Sequence, residues 1–131
     1  MKNVVKIGIM PKKTYIERTV AIAKGDYKPS PNEPKIWFES MQSMAQVLSN
    51  ENQELLKIIE EKKPCSLAEL EKLSHRKKSN LSRTLKLLER YGVVKFETTS
   101  GKRKKPLVMA TDFEVSFGLS TMANDFDQAH A

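Results

Sequence analysis

A mainly helical α+β fold is the architecture this sequence predicts, and three observations carry it. Between residues 50 and 90, apolar positions recur at helical spacing and are punctuated by cap and turn residues. After Gly92, the runs "VVKFETT" and "PLVMATD" take strand character. At the start, "NVVKIGIM" sets Val5, Ile7 and Ile9 against Lys6 and Gly8, with the period of two expected of a strand. A chain of 131 residues buries one modest core, so the expectation is one domain with an arm, or one small domain plus a dimerisation element.

Taken in order, the first strand stops at Pro11. "TYIERTVAIAKG" then has Thr14 and Glu17 at capping-box spacing and Gly25 at its far end, which predicts a helix of about ten residues. "DYKPSPNEP" is a loop, because Pro29, Pro31 and Pro34 cannot sustain regular hydrogen bonding. In "IWFESMQSMAQVL", Phe38, Met41, Met44, Ala45 and Leu48 fall along one helical stripe with Ser40 as a cap, while "KIWF" also suits a short extended lead-in. Asn50 and Gln53 predict the next helix start, with Leu55, Ile58 and Ile59 on one face and Pro64 closing it. Ser66 and Glu69 open a helix with Leu67, Leu70 and Leu73 inward. A turn over residues 75–77 follows, with His75 as a polar turn residue, and a third helix spans about 78–90. Two strands follow Gly92, and Phe113, Val115 and Phe117 alternate in a further extended piece. The predicted organisation is an extension over 1–48, a domain over 49–118, and a flexible tail over 119–131.

Charge is concentrated. The chain is +7 overall, yet residues 76–105 hold eleven Lys and Arg against Glu89 and Glu97, a surplus of +9, and the remainder is −2. Within that stretch, "HRKKSNLSRTLKLLERYGVV" sorts into two faces. With Ser79 as zero, Ser82, Arg83, Lys86 and Arg90 lie within about 60° of it, while Leu81, Leu85 and Leu88 lie at about 180° to 240°. Small hydroxyls let a helix backbone approach a DNA major groove closely. Arg83 has the fork that fits guanine N7 and O6, and Asn80 on the flank has the donor and acceptor pair that fits adenine N6 and N7. Lys86 and Arg90 suit phosphates, as do Lys77 and Lys78 near the positive end of the helix. A short helix, a turn, this basic helix and two strands with a basic connection together read as a winged helix-turn-helix. In "TTSGKRKKPL", the tip of the wing would carry Lys102, Arg103, Lys104 and Lys105, four cations that repel one another unless a polyanion lies beside them.

The stretch "SLAELEKLSHRKKSNLSRTLKLLERYGVVKFETTSGKRKKPLVM" resembles the winged helix-turn-helix of MarR-like and ArsR-like prokaryotic transcription regulators, and "NLSRTLKLLERYGVV" is similar to their recognition helix and wing entry. That resemblance, over about residues 50–117, implies a double-stranded DNA-binding regulator. A repressor acting as a homodimer is the expectation. Typical MarR proteins dimerise through long C-terminal helices that this sequence leaves no room for, so dimerisation falls to the N-terminal extension. Trp37, Phe38, Met41 and Met44 are its candidate interface, since Met is adaptable and Trp is enriched at contacts, with core packing as the competing explanation. The first fifty residues, with "EPKIWFESMQSMAQVLS", resemble a smaller group of bacterial and archaeal predicted DNA-binding proteins, some encoded beside small toxin-like proteins. This implies an alternative: an antitoxin that neutralises a co-encoded toxin through its N-terminal region and autoregulates its operon.

Other classes fit poorly. No nucleophile triad, glycine-rich phosphate loop or catalytic carboxylate pair has recognisable spacing, so an enzyme is not expected. One cysteine, Cys65, and two histidines, His75 and His130, give no metal-ligand cluster, and no cofactor is predicted. RNA is less suitable because its A-form major groove excludes a helix. The apolar runs are too short to cross a bilayer and the N-terminus lacks a secretory hydrophobic region, which points to the cytoplasm.

Overall fold

The computed structural model describes residues 3–98, 101 and 104–118. Five helices and five strands make up the described chain, in the order β1 (Val4–Ile9), α1 (Lys12–Lys24), β2 (Ile36–Phe38), α2 (Met41–Val47), α3 (Asn50–Lys62), α4 (Leu67–Ser74), α5 (Lys78–Arg90), β3 (Val94–Thr98), β4 (Lys104–Val108) and β5 (Asp112–Ser116). The fold is α+β and mainly helical, as expected. Two compact units divide it. One holds residues 45–112 with the short start of the chain, and the other holds residues 5–44 with the segment after 112.

In the first unit each helix is bounded by local chemistry. Ser49 caps α3 by accepting from the Asn52 amide at 3.3 Å. Asn50 is therefore the first helical residue and not the cap, and the Gln53 side chain reaches back to the Leu48 carbonyl at 2.7 Å. Lys63 ends α3 in a left-handed conformation, φ 48°, and buried Pro64 prevents continuation. Ser66 caps α4 as predicted, accepting from Glu69 N at 3.2 Å, while the Glu69 carboxylate accepts from Cys65 N at 3.2 Å. Then His75, at φ 61°, turns the chain towards α5. The core is apolar: Leu55, Leu56 and Ile59 of α3, Leu70 of α4, and Leu81, Leu85 and Leu88 of α5 are all buried, as are Val93 and Val94. Gly92, at φ 82°, reverses the chain after α5, and Val93 N donates to the Leu88 carbonyl at 2.9 Å. β3 and β4 then pair antiparallel, from Val94 opposite Val108 to Thr98 opposite Lys104.

The second unit is a three-stranded sheet in the order β2–β1–β5, with α1 joining parallel β1 and β2. The extended alternative for "KIWF" holds: Ile36 to Phe38 form β2, and the helix begins only after Ser40, whose hydroxyl accepts from Ser43 N at 3.0 Å. The predicted Thr14–Glu17 box is not the start of α1. Pro11, with φ −54°, already has the required geometry, and its carbonyl accepts from Tyr15 N at 3.0 Å, so the helix begins at Lys12. Gly25 ends it in the left-handed conformation, as predicted. The loop between α1 and β2 is held by Arg18, which pairs with Glu33 at 2.8 Å and lies over the Tyr27 and Trp37 rings at 5.7 and 5.1 Å. Tyr27 donates its hydroxyl to the same glutamate.

This packing corrects part of the expected interface. Phe38 is 1% exposed, so its ring is committed to the interior and offers nothing to a partner. Trp37 is half-buried and stands over Gly8, its register partner in β1, where a Cβ would collide with the indole and with Pro34. Met44 is half-buried, and Met41, 45% exposed, is the one member of the four with a large free face.

The two glycines separate two causes of strain. Gly8→Ala should destabilise by about 1 to 3 kcal/mol because the added methyl overpacks against Trp37 and Pro34. For Gly92→Ala the expected loss is about 1 kcal/mol, from the backbone conformation alone, since no atom lies within 4 Å of the new methyl. Urea denaturation of both variants checks the order.

Candidate nucleic-acid interface

The interface is built on α5, and its orientation follows from the leucine seam. Leu81, Leu85 and Leu88 are each 0% exposed, which turns the opposite face outward. Ser79, Asn80, Arg83, Lys86 and Arg90 are exposed there, Ser82 is half-buried, and Lys77 and Lys78 are exposed at the helix start. The helix therefore brings these eight sequence-predicted residues onto one continuous surface, in the angular arrangement that their spacing predicts.

Two residues that organise this surface went unassigned in the sequence. Glu71 of α4 accepts from the Lys78 amide at 3.1 Å, and so does the work of an N-cap for a helix whose own cap residue, Lys77, makes no side-chain bond. Its carboxylate also offsets part of the positive helix end. Arg76 donates from Nε to Asn80 Oδ1 at 2.8 Å, from Nη2 to Thr84 Oγ1 at 2.9 Å, and from Nη1 to Asn52 Oδ1 at 3.4 Å. Asn52 is buried and is fixed in turn by donating to the Val47 carbonyl at 2.9 Å. The spacing of Asn80 and Thr84, four apart along the α5 edge, gave part of this signal, while Arg76 reaches them from the turn before the helix.

Arg83 and Asn80 open onto a cleft of about 620 Å³ that they share with Glu51 and Glu54 of α3. The two carboxylates make this side of α5 less attractive to phosphate than the outer face that carries Lys86 and Arg90.

The basic hairpin differs from expectation. Lys102 and Arg103 lie outside the described residues. Lys104 and Lys105 are not at a loop tip, because cross-strand pairing extends to Thr98 and Lys104 and draws both into β4. Strand geometry sends them to opposite faces. Lys104 is exposed and stands 5.9 Å from the Phe96 ring centre, while Lys105 is half-buried and lines a hollow with Lys63, Lys95 and Pro106. Among the described residues, no group of three His, Cys, Asp or Glu side chains is placed to hold a metal, and no helix is long and apolar enough to cross a membrane.

Three helices with an antiparallel hairpin, presenting a basic and hydroxyl-bearing third helix, thus form a compact unit over residues 45–112. The model of the HVO_A0114 family matches residues 47–115, more than half of the chain, and the chain belongs to that family. No curated protein and no solved structure matches it.

The two faces of α5 should respond oppositely to truncation. Leu85→Ala should lose about 2 to 5 kcal/mol of stability. Lys86→Ala, one residue along, should stay within about 0.5 kcal/mol of the parent in the same denaturation experiment.

Proposed function

We propose that the chain is a sequence-specific double-stranded DNA-binding transcriptional regulator, a repressor acting as a homodimer, with residues 49–118 serving as a winged helix-turn-helix of the MarR-like and ArsR-like kind. The observation that carries this reading is the exposure of the cationic and hydroxyl face of α5 opposite three fully buried leucines. A solvated helix face of ordinary composition would balance its cations with acids at i,i+4. Here Glu89 is the only acid between residues 78 and 90. The hairpin after Gly92 supports the same reading, since it follows the third helix in the order a wing requires and adds Lys104 beside it in sequence.

In this reading α5 enters the major groove. Arg83 reads guanine, and Lys77, Lys78, Lys86 and Arg90 hold phosphates together with Lys104. Arg83 keeps its guanidinium free for a base edge because no ion pair engages it among the described residues. A dimer would place its two recognition helices about 34 to 36 Å apart, one turn of duplex. The test is selection from random duplex DNA by the full chain at physiological salt, followed by footprinting. Recovery of a palindromic site supports the proposal, and recovery of no preferred sequence sinks it.

The antitoxin reading draws on a separate observation. In the N-terminal unit, α1 exposes Tyr15, Ile16 and Val20, large apolar side chains at 42 to 51% exposure. That is the region to which this reading assigns the toxin. Co-purification with the product of an adjacent gene, abolished by Ile16→Glu, separates it from regulation alone.

Two substitutions divide base reading from anchoring. Arg83→Ala should cost about 1 to 3 kcal/mol of binding and relax preference at one base pair. Lys104→Ala should weaken cognate and scrambled duplexes alike and reduce the salt slope by about 1. Fluorescence anisotropy across a salt series distinguishes these outcomes, and equal effects of both substitutions on cognate and scrambled DNA would refute the division.

A further inference from the structure

We infer that Arg76 is a positioning residue that holds the Asn80 oxygen and leaves its amide nitrogen as the leading reader, so that Asn80 selects guanine over adenine at the base pair it meets. The inference rests on the DNA-binding reading above and goes beyond it by assigning a base preference.

A guanidinium has donors and no acceptor. The Asn80 amide must therefore present its oxygen, not its nitrogen, to Arg76 Nε at 2.8 Å. The arginine is not free to swing away, because Thr84 Oγ1 and Asn52 Oδ1 accept from its two remaining nitrogens. Asn52 is itself locked in one amide orientation, since its nitrogen donates to the Val47 carbonyl while its oxygen faces Arg76. The chain of contacts runs from the buried Asn52 of α3 through the half-buried Arg76 to the exposed Asn80.

An asparagine recognises adenine with both ends of its amide: the oxygen accepts from N6 and the nitrogen donates to N7. Both ends must lie outward along the same edge. With one of the oxygen's two lone pairs held by Arg76 and the amide plane set by that bond, Nδ2 is the end wholly free to face the groove. Guanine offers two acceptors to such a donor, N7 and O6. Adenine offers N7 alone, and its N6 amino group would set donor against donor. The full adenine pairing that residue type alone suggests for Asn80 is thus disfavoured by the company the side chain keeps. Arg76 makes its three bonds to two amide oxygens and a hydroxyl, so its positive charge also persists beside the groove-facing surface.

The experiment measures base preference with the full chain. A site is selected from random duplexes with the wild-type protein, and each position is then replaced by all four bases in competition anisotropy. The position at which Asn80→Ala loses discrimination is the one Asn80 reads. There the wild type should prefer guanine to adenine by roughly tenfold. Arg76→Ala, which releases the amide oxygen, should raise adenine to parity or above at that position and leave the others unchanged. Asn80→Asp removes the donors while keeping a partner for Arg76, and should abolish the guanine preference even if Arg76→Ala fails to fold by circular dichroism. A wild-type preference for adenine there, or an Arg76→Ala variant that folds and loses affinity without altering the base profile, overturns the inference and leaves the DNA-binding reading intact. If the wild type selects no sequence at all, both fall together.

Discussion

Rotation of α5 about its own axis is the constraint on which the rest of the unit depends. Three leucines at positions 81, 85 and 88 are sealed from water, and each contributes about 1.5 to 3 kcal/mol through burial. A surface ion pair on the opposite face would contribute about 0 to 1 kcal/mol. The apolar side therefore decides the orientation, and the polar side accepts the consequence. Cations that would otherwise be dispersed by mutual repulsion are held on one surface because their helix cannot turn without exposing its seam.

Burial sets the rotation, but it does not fix how individual polar side chains stand at the helix start. That falls to the carboxylate of Glu71, which satisfies the Lys78 amide, and to the fan of bonds from Arg76. Both come from outside α5, one from the preceding helix and one from the turn. The surface is thus pre-arranged by neutral and charge-assisted hydrogen bonds at its margin, in the way that binding sites benefit from supports beneath the contacting groups.

Much of this was legible from residue order because the controlling interactions are local. The span of α5, the Ser66 cap, the end of α1 at Gly25 and the stripe of cations all follow from contacts within one or two helical turns. Misplacements arose where two local options competed. Ser49 displaced Asn50 as the cap of α3, and Pro11 displaced Thr14 at the start of α1, because a proline with suitable φ nucleates the helix earlier. What escaped the sequence altogether is long-range. Nothing near Phe38 decides between interface and core for its ring, and nothing near Lys105 signals the hollow it lines with Lys63, 42 positions earlier. The contact from Arg76 to Asn52 crosses 24 positions and has no local trace.

The placement of β5 beside β1 makes the chain close upon its own beginning. Asn3 bonds to Thr111 through both main chain and side chain, and the sheet that opens the polypeptide is completed by the residues that follow the hairpin. In chain order, the helical unit is accordingly an insertion between strands of one sheet. A fragment cut to begin at residue 45 would carry β5 without its neighbour, leaving Val115 on an orphaned edge prone to self-association. The chain therefore passes between the two units three times, after residues 4, 44 and 112, where an ordinary linker would cross once.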